Sequence, residues 1–202
     1  MRATEVAEVV VRTLPEALCV SSLGTATSAL RLASGDAGHF YLGASMGSAL
    51  AGAMGVADAL PDRLVVALLG DGELLMGAAT LWSVSAYRPD NLLAVVLADG
   101  AYSITGGQPL LSSGRFVEVA GALGGIHAVR VHDRPGLTDA LTATGRPGLI
   151  EAVLDEQVWP GPSPFVDPGR VRLEFERRVA AGAAGPGPAE VLAGPAHIGE
   201  MA

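Results

Sequence analysis

Residues 63–77, RLVVALLGDGELLMG, join a continuous apolar run to a glycine–aspartate–glycine turn and a second apolar segment. Such an unbroken run is typical of a strand covered on both faces of a parallel sheet. The segment after the turn, 74–87, has the composition of a helix. Asp71, between Gly70 and Gly72, therefore follows directly on a predicted strand. By itself this is a common turn sequence, and a plain turn residue remains one interpretation of Asp71.

The same pattern recurs along the chain. NLLAVVLAD (91–99) is a second fully apolar strand, and it ends in Asp99. Further strands are predicted at 17–23, 126–131 and 148–155, with helical patterns between them. Strands and helices that alternate through short connections predict an α/β fold with a doubly wound parallel sheet of about five or six strands. Ligands of such sheets bind at the carboxyl ends of the strands, where Asp71 and Asp99 are expected.

The two aspartates are expected to point into one crevice, because strands joined by a single helix are often neighbours. Two carboxylates beside bare backbone can hold a hard divalent cation such as Mg²⁺, which takes oxygen ligands and often shares them with phosphate. Gly72 lets backbone N–H groups approach an anion, and the following helix directs the positive end of its dipole there. These residues indicate a metal-bound phosphate, but they name no cofactor.

Composition excludes several classes of protein. The formal net charge is −8, and the 13 basic residues form no block, so we expect no nucleic-acid partner and no membrane partner. Cys19 is the single cysteine, which excludes a disulfide framework or an iron–sulfur cluster within one chain. The uncharged stretch 41–57 is too rich in small residues to span a membrane. We therefore expect a cytoplasmic protein.

The chain changes character after Trp159. Residues 1–159 are predicted to form one globular domain, and 160–181 a Pro/Gly-rich arm followed by a charged helix. Residues 182–202 have the low complexity of a disordered tail.

Three separated stretches carry a family resemblance. They are HFYLGASMG (39–47), GDGELLMG (70–77) and ADGAYSITGGQ (98–108). Their order and spacing resemble the pyrophosphate-binding half of the thiamine-diphosphate-dependent decarboxylases, most of all the sulfopyruvate and phosphonopyruvate decarboxylases. The resemblance covers about residues 20–155 and implies a thiamine-diphosphate-binding fold over the predicted domain.

The resemblance implies a Mg²⁺ site made of Asp71, Asp99 and the backbone carbonyl of Ala101. Asp99 stands where the family usually has asparagine, so it keeps an oxygen ligand and adds a negative charge. Glu73 is a second departure, from a small residue. The residues that the resemblance places against the diphosphate are Gly70, Gly72, Glu73, Thr105, Gly106 and Gly107.

Two further residues are implied in catalysis by the bent thiamine diphosphate. Met46, at the start of a small-residue helix predicted over 46–60, would be the apolar wedge under the bend, although a Met opening such a helix is also a common core residue. The carbonyl of Ala44 would accept a hydrogen bond from the 4′-amino group of the cofactor.

The family's activating glutamate belongs to a second, pyrimidine-binding domain, which this chain does not resemble anywhere. The resemblance therefore implies a separate α-like subunit as partner, in a hetero-oligomer such as α2β2. The implied reaction is decarboxylation of a small 2-oxo acid such as sulfopyruvate or phosphonopyruvate, a lyase activity. A carboligase subunit and a non-catalytic, cofactor-binding regulatory subunit stay open as alternatives.

Overall fold

A computed structural model describes residues 1–35, 38–43, 45–110, 115–158, 160–161 and 165–182. The helices are α1 (Ala3–Thr13), α2 (Gly24–Ser34), α3 (Ala49–Ala59), α4 (Asp71–Met76), α5 (Thr80–Tyr87), α6 (Phe116–Leu123), α7 (Arg134–Ala143) and α8 (Pro168–Ala181). The strands are β1 (Leu18–Ser21), β2 (Phe40–Tyr41), β3 (Val65–Gly70), β4 (Leu92–Ala98), β5 (Ala101–Tyr102), β6 (Gln108–Pro109), β7 (His127–Val131) and β8 (Gly148–Val153).

Six of the strands form one parallel sheet in the order β2-β1-β3-β4-β8-β7. This confirms the predicted doubly wound α/β fold and its strand number. The chain winds outward in one direction through β1 and β2 and in the other from β3 onward, so the order reverses between β1 and β3. That reversal is the topological switch point at which ligands of such sheets bind.

The core has one apolar layer on each face of the sheet. Val66 and Leu68 of β3 belong to the layer beneath α1, α2 and α7, whereas Val65 and Leu69 belong to the layer beneath α3, α5 and α6. Successive side chains of a strand point to opposite faces, so a strand covered on both faces needs an apolar residue at every position. The continuous apolar run of β3 has this cause.

The expected helix over 74–87 is two helices, because the chain turns at Gly77. A Cβ at Gly77 would lie 2.0 Å from the carbonyl oxygen of Gly47, so the backbone of the turn before α3 occupies that space. That turn contains Met46, which had been expected to open the helix; α3 begins at Ala49 instead. Gly47 has φ +88°, a left-handed conformation that glycine adopts without strain.

Two connections contain strands of two residues each, which are too short to show a periodic pattern in the sequence. β2 lies in the loop after α2, and β5 and β6 form an antiparallel hairpin in the loop after β4. The hairpin pairs Ala101 with Pro109 and Tyr102 with Gln108, around the 3-10 turn Ser103–Thr105. It stands over the carboxyl ends of the central strands.

The charged helix predicted after the domain is α8, and it packs on the β2 edge of the sheet. The Phe175 and Phe40 ring centroids are 5.1 Å apart, and the Arg178 guanidinium donates to the carbonyl of Pro15 at 2.8 Å. The tail predicted to be disordered lies, apart from Gly182, outside the described residues. Among the helices that the structure describes, none is long and apolar enough to cross a membrane.

Cys19 and His39 lie together in the core beside α8. Cys19 is buried, and its N–H donates to Nδ1 of His39 at 3.3 Å. Burial lowers the pKa of His39 to about 3, and the charge of Arg178 adds to this effect. His39 is therefore a neutral core residue.

Candidate active site

A cleft of about 170 Å³ opens where β1, β3 and β4 end. Its walls come from the start of α2, the turn before α3, the turn after β3 and the β5–β6 hairpin. The residues that line it are Leu23, Gly24, Thr25, Ala26, Met46, Gly70, Asp71, Gly72, Glu73, Leu97, Asp99, Ala101, Tyr102, Ser103, Ile104 and Thr105. The cleft therefore lies at the topological switch point.

Asp71 joins the ends of β3 and β4 through its carboxylate. Oδ1 accepts from the N–H of Gly72 at 2.7 Å, and Oδ2 accepts from the N–H of Gly100 at 2.7 Å. The side chain is buried, with 2 % exposure, and burial raises the pKa of Asp71 to about 6. The charge of Asp99 adds to the rise, whereas the two N–H groups oppose it.

Asp99 is held by the hairpin that follows it. Its Oδ1 accepts from the N–H of Ala101 at 3.0 Å, and its Oδ2 accepts from the hydroxyl of Ser103 at 3.0 Å. The Gln157 side chain donates to the Asp99 carbonyl at 3.0 Å. The structure thus brings Asp71 and Asp99 to one cleft, as the strand ends predicted, and Ala101, which the resemblance implied, also lines it. Their role as metal ligands stays a prediction.

The glycine turn leaves room for close approach by other groups. A Cβ at Gly72 would lie 2.7 Å from the Tyr102 ring, so only a glycine accommodates that ring. Gly70 lines the cleft with open space at the position of its missing Cβ. Thr105 also lines the cleft and donates to Gln108 Oε1 at 2.8 Å. Gly106 is exposed near the tip of the hairpin and is not part of the lining.

Met46 lines the cleft opposite the two aspartates, from the turn before α3. Its side chain is half-buried, and its role as a wedge stays a prediction. The backbone of this turn lies directly on the end of α4, where Gly47 meets Gly77. Ala44, whose carbonyl had been expected to face the cofactor, lies outside the described residues.

The Glu73 side chain leads away from the cleft toward the start of α3. Its Oε1 accepts from the N–H of Ala49 at 3.1 Å, and its exposure is 5 %. Its Oε2 and the Ser22 hydroxyl are both buried, and within the described part of the chain neither makes a hydrogen bond of good geometry. Burial raises the pKa of Glu73, and the polar groups of Ser22, Ala49 and Gly47 oppose the rise.

Sequence reasoning missed the wall that residues 23–26 form at the start of α2. Gly24 has φ +73°, and the position of its missing Cβ is 3.3 Å from the Ile104 side chain of the hairpin. The signal that could have found this wall is the strand order. The switch point involves β1 as well as β3, whereas the aspartates alone indicate only β3 and β4.

The donor set of the cleft fits a magnesium-bound diphosphate. Asp71 and Asp99 offer hard oxygen ligands, and of the described residues that line the cleft none is basic. A divalent cation would offset the repulsion that contributes to the raised pKa of Asp71. No group of three or more His, Cys, Asp or Glu side chains in the described part of the chain could hold a metal. The predicted third ligand, the carbonyl of Ala101, is a backbone group.

The family model described as "Thiamine pyrophosphate enzyme, C-terminal TPP binding domain" matches residues 24–152. This range covers well over half of the chain and contains the glycine turn, both aspartates and the hairpin. The chain belongs to this thiamine pyrophosphate (TPP) enzyme family. The predicted resemblance is thereby confirmed.

Two proteins of known function that are similar in sequence to this TPP-binding chain are decarboxylases. It is 34 % identical over 189 residues to a phosphonopyruvate decarboxylase from Streptomyces viridochromogenes, covering 91 % of this chain and 46 % of the relative. It is 35 % identical over 104 residues to a sulfopyruvate decarboxylase subunit beta from Methanothermobacter thermautotrophicus, covering 52 % of this chain and 56 % of the relative. The chain thus spans about half the length of these relatives.

Solved structures share the fold of this TPP-binding domain. A 4-hydroxybenzoylformate decarboxylase from Rhodococcus jostii RHA1 matches with a TM-score of 0.64 at 23 % identity, covering 78 % of this chain and 33 % of that chain. A 2-oxoglutarate:ferredoxin oxidoreductase from Magnetococcus marinus matches with a TM-score of 0.62 at 16 % identity, covering 83 % of this chain and 66 % of that chain. At these identities the likeness concerns the fold alone.

Proposed function

We propose that this chain is the diphosphate-binding half of a TPP- and Mg²⁺-dependent enzyme that decarboxylates a phosphonopyruvate- or sulfopyruvate-like 2-oxo acid. The observation that carries the proposal is the meeting of Asp71 and Asp99 in a cleft at the switch point, within a family of TPP-binding domains. The decarboxylase names of the relatives supply the reaction class.

In this proposal each wall of the cleft has one task. Asp71, Asp99 and the Ala101 carbonyl hold the metal, and the bare backbone at Gly70 and Gly72 admits the diphosphate. Met46 supports the bend of the cofactor from the facing turn. When bound, TPP supplies the electron sink for loss of CO₂, and the protein supplies position and electrostatics.

The charge of the cleft supports a separate partner subunit. A phosphonate or sulfonate group needs cationic donors, yet of the described lining residues none is basic, and Asp71 and Asp99 are acidic. We infer that the groups binding the substrate's anion, like the activating glutamate, come from a pyrimidine-binding subunit. The relative named as a subunit beta supports this division.

An exposed apolar surface beside the cleft supports the same inference. It consists of Leu75 and Met76 at the end of α4 and Trp82 on α5, which are 36 %, 62 % and 57 % exposed. Residues 74–87 carry no charged side chain. We call these three residues the α4–α5 surface. Exposed apolar groups of this kind often mark a protein contact, and Met76 lies against the Met46–Gly47 turn.

The test is CO₂ release from phosphonopyruvate and sulfopyruvate, with TPP and Mg²⁺, by this chain alone and with a candidate pyrimidine-domain subunit. We expect release only with both chains present and none with Asp71→Ala. Full activity of the lone chain would overturn the two-subunit proposal. CO₂ release accompanied by a 2-hydroxy ketone formed with an added aldehyde, in place of the simple aldehyde product, would instead identify a carboligase. Cofactor binding without turnover of any 2-oxo acid would favour the non-catalytic alternative.

A further inference from the structure

Glu73 stands at a junction between two parts of the cleft. It is the third residue of α4, two positions after Asp71, and its carboxylate reaches the first residue of α3. Met46 stands three positions before that helix. The side chain therefore connects the turn that carries the predicted metal ligand with the turn that carries the predicted wedge.

The start of α3 lacks a cap of its own. Its N-cap residue, Ser48, makes no side-chain hydrogen bond to the first turn of the helix. The first N–H groups of a helix have no partner within it, and a carboxylate there is stabilising. Glu73 supplies this carboxylate from a different helix, at 3.1 Å from the N–H of Ala49.

Burial of the Glu73 carboxylate costs stability that a small apolar residue at this position would not cost. Glu73 is 5 % exposed, and its Oε2 is buried with no hydrogen bond of good geometry to any residue that the structure describes. A buried unpaired oxygen is destabilising, and a small residue would avoid this cost. The Gly47–Gly77 backbone contact already joins the Met46 turn to the other end of α4, so packing alone does not require the carboxylate.

We propose that Glu73 is a positioning residue, whose carboxylate ties the start of α3, and with it the Met46 turn, to the Asp71 turn. This rests on the proposed function, in which the diphosphate site and the wedge must keep one spacing. Glu73 thereby has a role through its side chain beyond the backbone approach that the resemblance implied.

A first experiment needs neither cofactor nor partner. Hydrogen exchange followed by mass spectrometry compares the full chain with Glu73→Ala, Glu73→Gln and a control, Ala53→Gly, which weakens α3 away from the contact. We expect Glu73→Ala to speed exchange in residues 46–52 by roughly ten-fold, the effect of one lost charged hydrogen bond. Residues 92–98 of β4 should keep their protection. Glu73→Gln should restore the slow exchange, since its amide oxygen can accept from Ala49.

A second experiment separates positioning from general stability. Titrations with Mg²⁺–pyrophosphate and with Mg²⁺–TPP compare a probe that needs only the Asp71 turn with one that needs both turns. Glu73→Ala should weaken TPP binding roughly ten-fold more than pyrophosphate binding, and Ala53→Gly should not separate the two. Equal loss of both ligands, or unchanged exchange in 46–52, would overturn the proposal. If the parent chain binds neither probe, the proposed function fails, while the exchange result still decides the role of Glu73.

Discussion

The Asp71 carboxylate accepts a hydrogen bond from the N–H of Gly100 at 2.7 Å, across the ends of two neighbouring strands. Gly70 and Leu97 are register partners in those strands, so the two turns leave the sheet at the same level. Asp99, the residue between β4 and Gly100, consequently lines the same cleft as Asp71. This geometry underlies the assignment of the cleft as a metal and diphosphate site.

Substitutions of Asp99 test whether Mg²⁺-dependent TPP binding needs an oxygen ligand or a negative charge at this position. Asp99→Asn keeps a carbonyl oxygen that can accept from Ala101, so Mg²⁺-dependent TPP binding should stay near that of the parent. Asp99→Ala removes the oxygen and should weaken binding by at least the roughly 10–100-fold that loss of an outer-shell partner costs. Calorimetric titration measures both. If Asp99→Ala binds as tightly as the parent, Asp99 is not a ligand.

Substitution of Gly77 tests the close contact between the end of α4 and the Met46 turn. In Gly77→Ala the added Cβ would meet the Gly47 carbonyl oxygen at 2.0 Å, so the turn must move. We expect a loss of about 1–3 kcal/mol in the free energy of unfolding, measured by urea denaturation. Gly55→Ala is the matched control, because no atom lies within 4 Å of its Cβ position in α3. It should stabilise by about 0.5–1 kcal/mol, and equal behaviour of the two variants would contradict the contact.

Substitution of Trp82 tests whether the α4–α5 surface binds the partner subunit. Trp82→Glu should leave the fold intact, since the side chain is 57 % exposed, and should weaken binding of the partner subunit by about 2 kcal/mol or more. Leu32→Glu, at 55 % exposure on α2, is the control and should bind normally. Sedimentation velocity of the mixed subunits measures this. A complex that survives Trp82→Glu unchanged would place the partner elsewhere.

Substitution of His39 tests how the free energy of unfolding of the metal-free chain depends on pH. Its pKa in the folded state is lowered from 6.5 to about 3, so the unfolded chain takes up a proton at higher pH than the folded chain. The contribution of neutral His39 is fully present above pH 6.5 and is lost as the pH falls toward about 3. The expected slope is at most about 1.4 kcal/mol per pH unit.

The measurement for His39 is urea denaturation across this pH window for the parent, His39→Gln and the exposed control His127→Gln. His39→Gln should flatten the fall in stability at acid pH, and His127→Gln should follow the parent. The same acid slope in His39→Gln and the parent would show that another group carries the dependence.

Much of the fold could be predicted because β3 and β4 are apolar at every position, which only a strand covered on both faces requires. The two aspartates were predictable for the same reason, since each marks the end of such a strand. The Gly47–Gly77 contact was not, because two glycines distant in sequence give no periodic signal of their approach. The direction of the Glu73 side chain likewise depends on α3, which packs beside it only in the folded chain.

Calorimetric titration of TPP into this chain, with Mg²⁺, with a chelator instead of Mg²⁺, and with Asp71→Ala, tests most directly whether the chain's own residues hold the metal and the diphosphate. If they do, binding should be saturable with Mg²⁺, absent with the chelator and absent in Asp71→Ala. Equal binding with the chelator, or binding by Asp71→Ala at the affinity of the parent, would contradict this assignment.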